Sequence, residues 1–235
     1  MTMKEQMSLS KAELAGLIDH TLLKPDATPR DIIELCSQAI SFGFKAVCVN
    51  PCYIPLVNRE LNGSRVLIGT VVGFPLGASE PALKAAEAGA AVGAGALEVD
   101  MVMNIGFFKG GLLTQVQDDL AAVVQAARRE NSQAVVKVIL ETCLLNDREK
   151  IVACRLAVEA GADFVKTSTG FGKGGATIQD VVLLRRAVGP SFGVKAAGGI
   201  RNLQAALNMI KAGASRLGTS SGPSILLEHA HLIDM

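Results

Sequence analysis

Short apolar segments alternate with longer amphipathic segments along this 235-residue chain, and this alternation limits its fold more than any other feature. The short segments are rich in Val, Ile and Leu, which is typical of strands. Eight of them occur, at 17–23, 45–50, 65–74, 96–104, 134–142, 163–169, 192–199 and 215–221. Because they are apolar almost throughout, they indicate a parallel sheet that is covered rather than exposed to water.

The intervening segments carry the start and end signals of helices. We predict helices at 28–42, 79–92, 112–130, 147–160, 177–188, 202–212 and from about 223, with one more within 51–61. Thr28 followed by Pro29 is a typical helix start, and Gly43 and Gly161 are typical helix ends. The order of the elements therefore predicts eight successive βα units.

Eight βα units in a chain of this length favour a closed barrel. We predict an α/β fold: a single (β/α)8 TIM barrel with an extra N-terminal helix, formed by one domain over 1–235. The first residues, 1–8, are expected to form a disordered arm. An open doubly wound sheet is the alternative, because its strands and helices alternate in the same way.

Composition excludes several classes of function. Apolar residues make up 49% of the chain and charged residues 19%, with a net charge of +1 and no basic block, which does not favour nucleic-acid binding. No apolar run reaches the roughly 18 residues of a membrane span. The chain has five cysteines and no CxxC motif, so we expect reduced thiols and a cytoplasmic protein.

Three lysines interrupt the predicted strands at equal intervals. Lys137, Lys166 and Lys195 follow each other at 29 residues, from 137 to 166 and from 166 to 195, which is about one βα unit. Neighbouring strands should therefore present them at similar heights. One lysine near a strand end usually extends into solvent, but three in register on adjacent strands indicate a buried cluster with a function.

An amine nucleophile would explain such a cluster. A lysine that attacks a carbonyl must be unprotonated, whereas free lysine has a pKa of about 10.4. Burial and neighbouring positive charge both lower a lysine pKa. Lys166 lies between the other two lysines and is our predicted nucleophile, although position alone also allows Lys195.

Carboxylates in the apolar strands are the expected partners of these lysines. Asp100 lies within "LEVDMVMN", where it can pair with a lysine and relay protons. Glu98 alternates with Asp100 and can face the same side. Asp19 on the first strand can line the barrel, and Glu141 is placed similarly but is less informative.

Two glycine-containing loops predict an anion site. In α/β barrels the loops after strands seven and eight often bind phosphate. Here these loops contain Gly198 and Gly199, and Ser220 and Ser221 before a helix start. "GFGKGG" at 170–175 formally matches a dinucleotide-binding pattern, but it occurs late and lacks the expected acid, so we interpret it as a flexible loop over the substrate.

The remaining polar candidates are weaker. His20 alone is more typical of a structural histidine, and the pair in "HAH" at 229–231 has no third ligand nearby, so we expect no metal and no other cofactor. Cys48 ends the second strand and could contact a substrate.

Five segments together resemble the deoxyribose-phosphate aldolases: "LIDHTLLKPDAT", "EVDMVMNIG", "VKVILET", "FVKTSTGF" and "VKAAGGIR". They occur in the family's order, and the resemblance covers about 14–222. It implies a class I aldolase on a (β/α)8 barrel, without a metal. Such an enzyme interconverts 2-deoxy-D-ribose 5-phosphate with D-glyceraldehyde 3-phosphate and acetaldehyde, in deoxyribonucleotide catabolism.

The resemblance also assigns roles. It implies that Lys166 forms the Schiff base, that Lys195 assists it by its charge and in proton transfer, and that Asp100 donates and accepts protons. Lys137 and Asp19 become supporting members of the network. The expected substrate and phosphate contacts are Cys48, Thr169, Gly170, Gly198, Gly199, Ser220 and Ser221.

The partners expected on this basis are small phosphosugar and aldehyde substrates, with no nucleic acid and no membrane. A homodimer is compatible with a barrel of this kind, although one sequence does not locate an interface. Two alternatives remain: another phosphosugar barrel enzyme, such as a different lysine aldolase or an isomerase, and a phosphosugar-binding barrel without activity. Imine trapping with acetaldehyde and borohydride would separate an isomerase from the proposed chemistry, because an isomerase would not be reduced onto the protein.

Overall fold

A computed structural model describes residues 9–233 of the protein, with side chains to residue 231. The arm expected at 1–8 lies outside the described residues. The strands are β1 (Ile18–Leu22), β2 (Ala46–Val49), β3 (Leu67–Val72), β4 (Glu98–Val102), β5 (Val135–Ile139), β6 (Phe164–Lys166), β7 (Gly193–Ala197) and β8 (Arg216–Thr219).

The eight strands are parallel and close into a barrel in chain order, with β8 paired to β1. This confirms the predicted (β/α)8 barrel and excludes the open sheet. The helices of the described residues are α1 (Lys11–Ala15), α2 (Pro29–Phe42), α3 (Ile54–Glu60), α4 (Pro81–Gly93), α5 (Ile105–Lys109), α6 (Leu113–Glu130), α7 (Asp147–Glu159), α8 (Ile178–Val188), α9 (Leu203–Lys211) and α10 (Gly222–Ile233). None of them is both long enough and apolar enough to cross a membrane.

The helix ends follow the local signals of the sequence. Thr28 caps α2, where its hydroxyl accepts the Asp31 N–H while the Asp31 carboxylate accepts the Thr28 N–H. Gly43 ends this helix in the left-handed region at φ 71°. The extra N-terminal helix is present as α1, which begins with a capping box between Ser10 and Glu13.

Among the differences from the predicted elements, two lie beside the polar side chains of the strand ends. The strand predicted at 163–169 ends at Lys166, because the Thr167 hydroxyl bonds to both the N–H and the C=O of Ala197 at 3.0 Å and replaces the backbone ladder there. The short helix α5 was not predicted. It begins where the Asn104 side chain accepts the Phe107 N–H at 3.0 Å.

Alternation along the strands separates two layers. Outward side chains such as Val99, Met101 and Val138 join the apolar core between the barrel and the helices. The interior of a TIM barrel is usually filled by branched apolar side chains. Here it holds buried charged side chains: Asp19, Glu98, Asp100, Lys137, Lys166, Lys195 and Arg216. The fold thus encloses a cluster of charges in its centre.

Candidate active site

One carboxylate joins the three predicted lysines. Asp100 on β4 accepts a hydrogen bond from Lys137 at Oδ1, with an N–O distance of 2.9 Å. Its other oxygen, Oδ2, accepts hydrogen bonds from Lys166 at 2.8 Å and from Lys195 at 2.7 Å. All four side chains are at most 2% exposed. The structure therefore places the predicted nucleophile, its partner lysine and the predicted aspartate in direct contact.

The sequence predicts similar heights for the three lysines, but the three do not share one register. Lys166 pairs directly with Lys195, but Lys137 pairs with Phe164, two residues before Lys166. The strands of a closed barrel are staggered, so equal spacing along the chain does not give equal register. The Asp100 carboxylate bridges this offset, because Oδ1 contacts Lys137 and Oδ2 contacts Lys166 and Lys195.

Further ion pairs complete a network of three carboxylates and four cations. Lys137 also contacts Glu98 at 2.7 Å, and Lys195 also contacts Asp19 at 2.6 Å. Arg216 on β8 joins these two acids, with both of its terminal nitrogens on Glu98 at 3.0 Å and one also on Asp19. The structure thus places Asp19 and Lys137 within this network of ion pairs.

The network fixes the charge of most of its members. Burial alone would raise the pKa of Asp100, but the three lysines hold it well below its usual range. Burial alone would lower the pKa of Lys195, but Asp100 and Asp19 outweigh burial and raise it. The same balance raises the pKa of Lys137 and lowers that of Asp19. Lys195 is therefore a firmly protonated cation beside Lys166.

Lys166 differs from the other cations in its contacts. Among the described residues it contacts one carboxylate, Asp100, and it shares the same oxygen with Lys195. Lys137, Lys195 and Arg216 each contact two carboxylates. Lys166 is therefore the cation whose loss would leave every other ion pair of the network intact, and the three remaining cations would match the three carboxylates.

A cavity of about 420 Å³ opens above Lys166 at the carboxyl ends of the strands. This is the end at which TIM barrels carry their sites. Among the predicted contacts, its lining includes Thr169, Gly170, Gly198, Gly199 and Ser220. Cys48 and Ser221 are not part of this lining.

The loops after β6 and β7 pack against each other at the cavity. Gly198 and Gly199 have φ values of 92° and 82°, which side chains rarely adopt. The Ala176 N–H donates to the Gly198 carbonyl at 3.0 Å, and a Cβ on Gly175 would lie 2.4 Å from that oxygen. Glycine is thus required for this close approach, which leaves backbone groups at the cavity wall.

The loop after β8 is arranged differently. The Ser221 N–H donates to the Thr219 hydroxyl at 2.9 Å, just before α10 begins at Gly222. Ser220 is exposed and lines the cavity. Ser220 rather than Ser221 therefore faces the space above Lys166.

Several site residues were not predicted from the sequence. Arg216 begins β8 and was not recognised, although its alternation with Gly218 on the strand could have indicated an inward side chain. Lys24 and Arg201 are exposed cations in the cavity lining, and each lies within a segment that carries the family resemblance. Phe171 also lines the cavity, where its ring packs edge-on against Phe74 with centroids 5.2 Å apart.

Two candidates have buried positions beside the network. His20 is hydrogen-bonded through Nε2 to Gln38 at 2.7 Å, and burial lowers its pKa, in agreement with a structural histidine. Cys48 packs with Leu23 and Val71, and burial raises the pKa of its thiol to about 11. Within residues 9–233, no group of three or more His, Cys, Asp and Glu side chains is placed to hold a metal ion.

Comparison with known proteins identifies the family. The family model "DeoC/LacD family aldolase" matches residues 14–228. The chain belongs to this family of aldolases. The deoxyribose-phosphate aldolase of Carboxydothermus hydrogenoformans is 58% identical over 218 residues, which cover 93% of this chain and 96% of that protein.

Solved structures of aldolases have the same fold as this family member. The deoxyribose phosphate aldolase of Aeropyrum pernix, described as a tetramer, superposes with a TM-score of 0.88 at 35% identity, covering 95% of this chain and 93% of that one. The aldolase QR15 superposes with a TM-score of 0.87 at 41% identity, covering 94% and 98%. The resemblance found in the five sequence motifs is thus confirmed, and the chain is an aldolase.

Proposed function

We propose that this aldolase cleaves 2-deoxy-D-ribose 5-phosphate reversibly to D-glyceraldehyde 3-phosphate and acetaldehyde, through a Schiff base on Lys166. The observation that carries the proposal is a buried lysine at the inner end of a cavity, with one carboxylate oxygen shared with a second, firmly protonated lysine. The names of the similar proteins support the substrate class.

The reaction follows from a neutral amine at Lys166. Its nitrogen attacks the C1 aldehyde of the open-chain sugar, and loss of water gives an iminium ion. A base then removes the proton of the C3 hydroxyl, the C2–C3 bond breaks, and its electron pair moves toward the iminium nitrogen to give an enamine. Glyceraldehyde 3-phosphate leaves, C2 of the enamine takes up a proton, and water hydrolyses the imine to acetaldehyde.

The neighbouring charges have distinct roles in this proposal. The Lys195 ammonium repels a proton on Lys166 and supplies protons to the reacting atoms, directly or through water. Asp100 holds both lysines and exchanges protons with them. Lys137 and Asp19 keep Asp100 and Lys195 in place through the ion pairs of the network. The iminium is the electron sink, so the scheme requires no cofactor.

The cavity mouth offers groups for the phosphate. Gly198 and Gly199 present backbone at the wall, Ser220 adds a hydroxyl, and Lys24 and Arg201 add positive charge. Among the other predicted contacts, Thr169 and Gly170 lie beside the sugar chain in this proposal. Cys48 and Ser221 support the site from behind its lining.

The proposal extends to the setting of the enzyme. We place it in the cytoplasm as a homodimer. Two exposed free cysteines, Cys52 and Cys143, are compatible with a reducing compartment. Light scattering of the purified protein would measure the assembly.

Trapping of the imine tests the central step. Acetaldehyde and sodium borohydride should add a mass of about 28 Da, an ethyl group, to the peptide that holds Lys166. An adduct on Lys195 would reverse the roles of the two lysines and keep the aldolase. No selective adduct would favour an isomerase or a binding protein, neither of which forms this imine.

A further inference from the structure

Glu141 lies just after the end of β5 and has an unusual backbone conformation. Its φ and ψ are 53° and 63°, and among residues 9–233 it is the only non-glycine residue with positive φ. Such a conformation is strained for residues with a side chain and persists only where the surroundings enforce it. The side chain is 4% exposed, so the residue is not a surface turn.

The Glu141 carboxylate reaches the loop that follows Lys166. Its Oε2 accepts both the N–H of Thr169, at 3.2 Å, and the Thr169 hydroxyl. The loop then crosses the carboxylate so closely that a Cβ on Gly172 would lie 3.1 Å from the Glu141 Cδ. Glu141 has no ion pair among the described residues, and its carboxyl oxygens are satisfied by this loop and by the Cys143 thiol, which donates to Oε1 at 3.7 Å.

These contacts lie directly on the wall of the cavity. Thr169, Gly170 and Phe171 line it together with Lys166. The Thr169 hydroxyl gives its only proton to Glu141 and accepts the Phe171 N–H at 3.0 Å. It can therefore meet a substrate only as an acceptor, through its remaining lone pair, which suits a hydroxyl group and not a carbonyl oxygen.

We infer that Glu141 is a positioning residue for substrate recognition: it fixes the wall 169–172 beside Lys166 and orients Thr169 to accept a hydrogen bond from a sugar hydroxyl. This inference rests on the proposed cleavage of a phosphorylated hydroxy-aldehyde. It predicts that Glu141 is needed for the sugar phosphate but not for acetaldehyde, which has no hydroxyl and can reach Lys166 without that wall.

Two substitutions distinguish the role of the Glu141 carboxylate from the role of its backbone conformation. Glu141→Gly removes the carboxylate and suits the left-handed backbone, so relief of backbone strain offsets part of the cost of losing the Thr169 hydrogen bonds. Glu141→Gln keeps one oxygen that can accept both Thr169 donors. Glu159→Gln, at an exposed position in the last turn of α7, is the matched control.

The experiment measures kcat and KM for 2-deoxyribose 5-phosphate, and the rate of acetaldehyde–borohydride trapping on Lys166. Glu141→Gly should lower kcat/KM about 10- to 100-fold, mostly through KM, while its trapping rate stays within about twofold. Glu141→Gln should recover most of the loss, and Glu159→Gln should match the wild type.

Two results would overturn the inference. Unchanged kcat/KM in Glu141→Gly would mean that the Glu141 side chain has no role in substrate recognition. An equal fall of kcat/KM and of the trapping rate would mean that Glu141 acts on the reactivity of Lys166 and not on substrate recognition. A wild type that neither cleaves the sugar phosphate nor forms the adduct would instead refute the proposed function, so the two failures are distinguishable.

Discussion

The protein buries lysine against aspartate in two places, inside the barrel and between α4 and α6 outside it. In the barrel, Lys137 and Lys195 each contact two carboxylates. Between the helices, Lys84 contacts Asp119 at 2.5 Å, and both side chains are at most 1% exposed. The residue types and the burial are the same, so the two places differ mainly in the number of partners.

The proton equilibria of the two places shift in opposite directions. In the barrel, mutual attraction outweighs burial, lowering the pKa of Asp100 and raising that of Lys195. Between the helices, burial outweighs the single pair, raising the pKa of Asp119 and lowering that of Lys84. Each buried ion loses its hydration, and one partner compensates for less of that loss than two.

Asp119 and Asp100 also differ in the number of their carboxylate oxygens that accept a hydrogen bond. Asp119 Oδ1 has no hydrogen-bond partner among the described residues, and Lys84 has only the Gly77 carbonyl at 3.5 Å besides its aspartate. Asp100 uses both oxygens. Lys166 is the exception among the cations of the barrel, because its only carboxylate contact among the described residues is one Asp100 oxygen that it shares with Lys195. The network therefore stabilises its other cations while leaving Lys166 the one that can be neutral without loss of another pair.

The largest expected effect comes from replacing the exceptional lysine. Lys166→Met should lower turnover by at least about 10⁴-fold, because no amine remains to form the imine. Its free energy of unfolding should change by no more than about 1 kcal/mol, since Asp100 keeps Lys137 and Lys195. Steady-state cleavage and urea unfolding measure the two quantities, and retained turnover would refute the Schiff base on this residue.

The same substitution at the helix pair should have the opposite profile. Lys84→Met leaves Asp119 buried without its partner, so it should destabilise the protein by about 3–5 kcal/mol. Turnover of the folded enzyme should stay within about threefold, because Lys84 lies outside the barrel network. Urea unfolding and activity at low temperature test this, and a large loss of turnover in folded protein would erase the contrast between the two sites.

Much of the fold and the centre of the site could be predicted because they depend on local signals. The eight strands are apolar runs with sharp ends, and Lys137, Lys166, Lys195 and Asp100 are charged residues in such runs. The resemblance then identified the family. What each lysine contacts, by contrast, follows from the stagger of a closed barrel, which equal spacing along the chain does not encode.

The residues that were missed depend on contacts distant in sequence. Arg216 looks like a solvent-facing residue at a strand start, and only closure of β8 against β1 brings it to Asp19 and Glu98. Lys84 in "ALKAAEAG" looks like an exposed helix lysine until α6 packs on α4. Helix α5 has only five residues, including a glycine, and carries little intrinsic signal.

The smallest expected effect concerns how the free energy of unfolding depends on pH, and this dependence should have opposite signs at the two sites. Consider Lys84→Met/Asp119→Val, which replaces the helix pair by apolar side chains and should be neutral or stabilising by on the order of 1 kcal/mol. With a raised Asp119 pKa, the wild type loses stability as pH rises from below about 3.9 through that pKa. With a lowered Lys84 pKa, it regains stability as pH rises through that pKa toward about 10.4.

The double variant should therefore gain most over the wild type between these two limits, and least at acid and alkaline pH. Asp100→Asn should do the reverse on the acid side. The lowered Asp100 pKa stabilises the fold above about 3.9, and this stabilisation is lost as pH falls further, so the variant is most destabilised at neutral pH. Urea unfolding across pH would measure both differences. Parallel curves for the two variants would mean that partner number does not decide which buried pairs stabilise this protein.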